Sequence, residues 1–366
     1  MALVGESLVS EPARPLDDSS ANSLGPAQSV PSTGSGPGEA SDPISATAAN
    51  GMLGQLQDAV ARTVIGAQEV VRALTIALAV EGHVLVEGVP GIAKTYLART
   101  FARSLGLSFQ RIQFTPDMLP SDIIGGLVMD PKDRSFVYRP GPIFAQVVLA
   151  DEINRAPPKV QSALLEAMQE QQVTVDRRTY PLPRPFLVIA TENPLEQEGT
   201  YPMPEAELDR FLFRWIMSYP NPEDEARIVR SQLDPGDVPP GSEVLSGGDI
   251  ERLRRSIRSV NVHEEVVRYV TAIVTATRAD RRLEAGGSPR AAVQFMRAAR
   301  AGAFLAGRDY VIPDDVQELL FPVLNHRVIV RPEFRGARFL PGDPRGSLEG
   351  IRTILSDILK SVPVPR

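Results

Sequence analysis

At 366 residues the chain is roughly two to three times the length of an ordinary domain, so about two packed units with extensions are expected. With 43% hydrophobic and 23% charged residues it reads as a globular protein, and no apolar run approaches the ~18 residues that cross a bilayer. No basic segment leads into an apolar run with a small-residue cleavage site, so a cytoplasmic address without a secretory signal or membrane span is expected. Without Cys, disulfides and thiolate metal sites are excluded, and His83, His263 and His326 are too few for a zinc centre.

The net charge of −6 sits mostly in the first fifty residues, which hold six acids and one Arg. The remainder carries no general attraction for nucleic acid. Residues 1–50 contain ten Ser, eight Ala, six Pro and five Gly and no aromatic residue, too little apolar area to offset ordering entropy, so a disordered tail is predicted. From about residue 52, Leu53, Leu56, Val60 and Val64 and then Val70, Val71, Leu74 and Leu78 predict two amphipathic helices.

His83 to Glu87 predicts a short buried strand, and 95–105 a helix. Near-continuous apolar runs at 147–150 and 186–190 are those of strands buried on both faces of a parallel sheet. Between them Val160, Ala163, Leu164, Ala167 and Met168 share one helical face, so strand, helix and strand imply a parallel α/β layer. Hairpins are predicted at 122–142, with Asp133 and Arg134 near the tip, and at 172–181. A Pro-rich segment and a Gly/Pro loop over 223–248 read as a linker after an α/β core at 51–222. Beyond it, helices at about 249–258, 263–279, 289–306, 313–325 and 346–360 predict a second, all-α domain at 249–366.

The first strand runs into Gly88, Val89, Pro90, Gly91, Ile92, Ala93, Lys94 and Thr95, then Tyr96 and a helix. This is close to the phosphate-binding loop, in which backbone N–H groups converge on phosphates, the Lys94 ammonium reaches the β and γ oxygens, and the Thr95 hydroxyl faces Mg²⁺. Ala93 stands where Gly is usual, and a methyl group is expected to fit because the chain turns helical there. Asp151 and Glu152 follow the second strand, at the edge where open α/β sheets bind ligands; Asp151 suits the Mg²⁺ shell and Glu152 the attacking water. The third strand ends at Asn193, whose amide could hold that water in line.

Together these residues resemble the AAA+ ATPases, and within them the MoxR family. The resemblance runs from about Gly54 to the C-terminus. It rests on E-G-V-P-G-I-A-K-T (87–95), L-A-D-E-I-N-R-A-P-P-K-V-Q-S-A-L-L-E-A-M-Q-E (149–170), A-T-E-N-P (190–194), P-E-A-E-L-D-R-F (204–211), S-P-R-A (288–291) and G-R-D-Y-V-I-P-D-D-V (307–316). It implies a P-loop αβα core with a small helical lid, Mg·ATP hydrolysis in a homo-oligomeric, hexameric ring, and chaperone-like work on a partner, often a von Willebrand factor A domain protein.

By the same resemblance Arg210 looks like the arginine finger that reaches a neighbour's γ-phosphate, with Arg214 in reserve, one helical turn on. Arg290 looks like the lid's second sensor, coupling phosphate loss to rotation of the lid. Ile65 and Gly66 match the adenine-side segment. Arg155 faces either a subunit boundary or a local ion pair, and the two hairpins face either a pore or client or merely cover core surface. With 35 arginines in the chain, spacing alone assigns none of these roles.

A GTPase is disfavoured because no Lys has the N-K-x-D setting, and a small-molecule kinase would not need the helical domain carrying Arg290. The rivals are a chelatase motor subunit, a nucleic-acid translocase using the arginines at 252–255 and 278–282, and a nucleotide-switched scaffold with little turnover.

Overall fold

The computed structural model describes residues 42–89, 91–132, 134–193, 199–233, 243–334 and 348–365, which lie in one compact unit. Most of the expected tail, Pro90, Asp133, Pro194 and much of the expected linker fall outside the described residues. The first helix nevertheless begins before the predicted end of the tail. Ser45 caps α1 (Ala46–Ala61) by accepting from the Ala48 N–H, and Ile44 is buried with its N–H donated to the Ser256 hydroxyl. Local composition hid this because the anchor is a lid residue 212 positions away.

The elements follow in chain order: α2 (Gln68–Ala79), β1 (Val84–Gly88), α3 (Lys94–Ser104), β2 (Phe109–Gln113), α4 (Pro120–Ile124), β3 (Gly125–Met129) and β4 (Phe136–Pro140). Then come β5 (Val147–Asp151), α5 (Pro158–Glu170), β6 (Gln172–Val175), β7 (Arg178–Pro181), β8 (Leu187–Glu192), α6 (Glu205–Leu208) and β9 (Phe213–Met217). The rest is α7 (Pro222–Leu233), α8 (Gly247–Ile257), α9 (Glu264–Ala279), β10 (Leu283–Ala285), α10 (Pro289–Leu305), α11 (Pro313–Leu324), β11 (Ile329–Val330) and α12 (Leu348–Ser361).

One five-stranded parallel sheet, ordered β2-β5-β8-β1-β9, carries the molecule. Its apolar runs alternate between two cores, as successive side chains on a strand must. Val84, Val86, Val147, Leu149, Leu187 and Ile189 face α1, α2 and α3, whereas Leu85, Val148, Ala150, Val188 and Ala190 face α5. The first core continues without a break into α8 to α12, so the helical lid packs on α1 and α2 rather than burying a core of its own.

Two edge strands escaped the sequence reading. β2 has one buried residue among five, and β9 carries Arg214 and Trp215, so neither shows an unbroken apolar run. The expected linker also contains a full helix, α7, rich in Glu and Arg and with no buried residue among those described. Both predicted hairpins form, β3 with β4 and β6 with β7, and Tyr138 of the first stacks on Tyr180 of the second at 4.1 Å between ring centres. In the lid, β10 and β11 pair antiparallel, too short to be seen in the sequence.

Candidate nucleotide site and an arginine pocket

Because β5, β8 and β1 are adjacent and parallel, the loops that follow them share one end of the sheet. Gly88 closes β1 where a Cβ would stand 2.5 Å from Ile92 Cδ1 and 2.8 Å from the Met217 carbonyl, so only glycine fits. Val89, Gly91 (φ 86°), Ile92 and Ala93 lead into α3, while Pro90 lies outside the described residues. Ala93 adopts φ 60° and ψ 26° as the N-cap of α3. The expectation that a methyl is easily accommodated is corrected by this left-handed backbone, which costs an L-residue roughly 1–2 kcal/mol and explains the usual Gly.

Lys94, Thr95 and the half-exposed Tyr96 form the first turn of α3. The Lys94 ammonium donates to the Gly88 carbonyl at 2.6 Å and the Glu192 carbonyl at 3.4 Å, bridging the ends of β1 and β8. The Thr95 hydroxyl stands 3.4 Å from Asp151 Oδ2, and the Thr191 hydroxyl donates to Asp151 Oδ1 at 2.6 Å. Glu152 follows in a left-handed conformation, φ 59° and ψ 50°, its N–H donated to Thr191 Oγ1 at 2.9 Å. Such strain in a non-glycine residue persists only where its surroundings hold it. Asn193 is buried directly after β8.

Two β2 residues that the sequence reading missed also reach the acids. Arg111 pairs with Asp151, and Gln113 donates to Glu152 Oε2 at 2.9 Å. Alternation on an edge strand was the available signal, since residues 111 and 113 share a face. Arg155 Nε lies 3.3 Å from Glu152 Oε2, an ion pair within the same loop. Ile65 and Gly66 form the turn between α1 and α2, where a Cβ on Gly66 would meet Asp224 of α7 at 3.4 Å.

Two of the three other arginines named from the resemblance lie elsewhere, together. Arg210 and Arg290 line one cavity of about 240 Å³ with Glu81, His83, Gln169 and Arg297. His83 precedes β1 and Lys94 follows it, so roughly 16 Å of extended chain separates the cavity from the phosphate loop at ~3.3 Å per residue. Arg290 therefore does not sit over its own protomer's Lys94, as a lid sensor acting within one chain would require. The Gln169 amide, turned with its oxygen toward Arg290, accepts from Nη1 at 2.8 Å and Nη2 at 3.2 Å.

Lid contacts bring the two arginines together. Ser288, the N-cap of α10, donates to Asp209 Oδ2 at 3.0 Å, tying the S-P-R-A turn to the L-D-R-F turn. The buried Arg327 guanidinium reaches Asp209 Oδ1 at 2.7 Å and the carbonyls of Phe211 and Leu212. Burial holds its pKa down at about 10, against the raising effect of Asp209. The sequence reading passed over Arg327, whose partners lie about 115 residues upstream.

Arg214 is corrected outright as a reserve finger. It lies on β9 rather than on a helix, its side chain has no solvent exposure, and its Nε donates to Glu87 Oε2 at 2.7 Å. His83 forms the inner wall of the arginine cavity. Its Nδ1 accepts from the Val188 N–H at 3.0 Å while Nε2 lies 3.2 Å from the Met168 carbonyl, which requires a neutral ring protonated on Nε2. Burial lowers its pKa to about 4.

Residues 83–213 match the family described as the ATPase family associated with various cellular activities (AAA), and residues 275–342 match the AAA lid domain. The chain is 47% identical to Chaperone MoxR1 of Mycobacterium tuberculosis, over 74% of each sequence. It is 33% identical to Protein MoxR of Methylorubrum extorquens over 80% of this chain and 92% of that one. The chain belongs to the MoxR family of AAA+ ATPases.

An uncharacterized Bacillus subtilis protein, YeaC, is 44% identical over 86% of this chain and 95% of its own length. The crystal structure of a candidate ATPase from Cytophaga hutchinsonii superposes with a TM-score of 0.79 at 38% identity, covering 88% of this chain and 97% of that one. The parallel core and helical lid are thus those of the MoxR family. Among the described residues no helix is long and apolar enough to cross a membrane.

Proposed function

We propose that this MoxR chain hydrolyses Mg·ATP at the boundaries between copies of itself in a ring, with six copies as the expected number, and spends the cycle remodelling a partner protein. One observation carries the shared-site reading: Arg210 and Arg290 occupy a single cavity at the opposite end of β1 from Lys94. Two guanidiniums suited to phosphate oxygens are out of reach of their own nucleotide loop, so their phosphate belongs to a neighbour.

The nucleotide end suits magnesium, a hard cation that takes one or two carboxylates together with substrate phosphates. Thr95 Oγ1 and Asp151 Oδ2, 3.4 Å apart, are the protein oxygens that would hold it. Mg²⁺ held there would supply charge neutralisation to the phosphates. Lys94 leaves the Gly88 carbonyl to grip those oxygens. Glu152 takes the proton of the attacking water while the Asn193 amide keeps that water in line. The new O–P bond forms at the γ-phosphorus as the bond to the bridging oxygen breaks, and ADP leaves with its electron pair. The neighbour's Arg210 and Arg290 neutralise the developing charge, which ties turnover to lid position through the Ser288–Asp209 contact.

The chaperone name of the mycobacterial relative supports a remodelling role, and the family resemblance adds a von Willebrand factor A domain protein as the expected class of partner and the cytoplasm as the expected place. Mixing two inactive variants tests the shared site. Lys94→Ala keeps the arginine cavity and Arg210→Ala keeps the nucleotide loop, so each alone should lose hydrolysis by about a thousandfold. Arg210→Ala should still bind ATP, and the mixture should recover measurable phosphate release. Full turnover by a dilute monomer, or by Arg210→Ala alone, would refute the proposal.

A further inference from the structure

The nucleotide end holds a cation that none of the motif residues accounts for. Arg111 lies on β2, one strand outward from the acids, with its Cα in register with Leu149. Its side chain reaches two residues along the sheet to Asp151, where Nε and Nη2 donate to Oδ2 at 2.9 and 2.7 Å. Oδ1 is already satisfied by the Thr191 hydroxyl at 2.6 Å, and Oδ2 is the oxygen that faces the Thr95 hydroxyl at 3.4 Å. The carboxylate oxygen turned toward the metal-binding hydroxyl is therefore covered by a guanidinium.

That arrangement has a cost and a use. A nearly buried carboxylate without a counter-ion is strongly destabilising, and the Arg111 fork supplies one to Asp151. Two cations on one carboxylate oxygen repel, so the same guanidinium opposes a divalent ion arriving beside Thr95. Arg111 also has room to move: its side chain is 44% exposed against 10% for that of Asp151, and its Nη2 also donates to Gln113 Oε1 on its own strand.

We propose that Arg111 is a metal-competing counter-ion, which holds Asp151 while the pocket lacks Mg·nucleotide and yields Oδ2 on loading, so that it sets how much Mg²⁺ the loaded state requires. This rests on the nucleotide reading above and makes Arg111 a positioning residue. It predicts that free metal binds poorly without nucleotide, because the phosphates must help displace the guanidinium.

The test uses the full chain, a fluorescent ADP analogue at fixed concentration, and a Mg²⁺ titration of its binding beside a measurement in EDTA. Arg111→Gln should lower the half-saturating Mg²⁺ about tenfold, equivalent to about 1.4 kcal/mol, while lowering the melting temperature of the nucleotide-free protein. Arg111→Lys keeps the charge but loses the fork, and should lower the midpoint by about threefold. It carries the test if the Gln variant does not fold. A midpoint that is unchanged or raised in the folded variants overturns the proposal, even if both melt earlier. Wild-type protein that binds no analogue with or without Mg²⁺ overturns the nucleotide reading and this inference with it; binding whose metal dependence ignores Arg111 overturns this inference alone.

Discussion

The two ends of the central sheet are built on different plans. At the carboxyl end, each chemical group follows directly on its own strand: Lys94 after β1, Asp151 and Glu152 on and after β5, Asn193 after β8. At the amino end, Arg210 and Arg290 converge only through lid contacts, with Ser288 to Asp209 spanning 79 residues and Arg327 to Asp209 spanning 118. Strand adjacency in a parallel sheet makes the first plan local and leaves the second to tertiary packing. The carboxyl end gathers residues that each follow their own strand, and the amino end gathers two arginines into one cavity beside Glu81 and His83.

The strand between the two ends offers the harshest way to break this contrast. Arg214 on β9 is sealed against Glu87 at the base of the phosphate loop, and its carbonyl accepts from Asn325 of the lid at 2.9 Å. Glu87→Ala should leave a buried guanidinium without its carboxylate and destabilise the fold by roughly 3–5 kcal/mol, read as a drop in the urea midpoint. Replacing both partners with apolar residues of similar volume should restore much of that loss. If Glu87→Ala is nearly neutral, the buried pair contributes little to holding the phosphate-loop strand on β9.

A smaller effect should come from the floor of the arginine cavity. His83 is neutral in the native protein, with a pKa near 4, whereas the unfolded chain protonates it near 6.5. Above about pH 6.5 its contribution is complete. As the pH falls from 6.5 to 4 the unfolded chain takes up a proton that the native state refuses, so stability declines by about 3 kcal/mol. Below 4 both states are protonated and this loss stops growing. Denaturant titrations of wild type and His83→Gln across that window should converge at low pH, and parallel curves would show that burial does not suppress this titration.

These comparisons also explain what the sequence made legible. The three inner strands and the lid helices were readable because burial on both faces, or on one helical stripe, leaves a periodic apolar trace; β1, β5 and β8 were each found within two residues of their ends. β2 and β9 lie at the sheet edges, where alternating polar side chains break that trace, and so Arg111, Gln113 and the burial of Arg214 were missed together. The motif strings named Arg210 and Arg290 but not where they point. That depends on the lid packing onto α1 and α2, which no local pattern encodes.

The smallest effect falls back at the nucleotide end, where sequence and backbone disagree most directly. Ala93 is the one residue of the loop that departs from the usual glycine, and it is also held at φ 60°. Ala93→Gly removes a left-handed strain of roughly 1–2 kcal/mol but gives back roughly 0.5–1 kcal/mol as extra freedom of the unfolded chain. The balance is a stabilisation of about 0.5–1 kcal/mol, a rise of about one or two degrees in melting temperature for a folded unit as large as this one. Because the conformation at Ala93 orients the first N–H groups of α3, relief of strain that left ADP affinity unchanged would mean the loop is already set for phosphate before nucleotide arrives. A lower melting temperature would instead mean that the Ala93 methyl makes contacts worth more than the strain it bears.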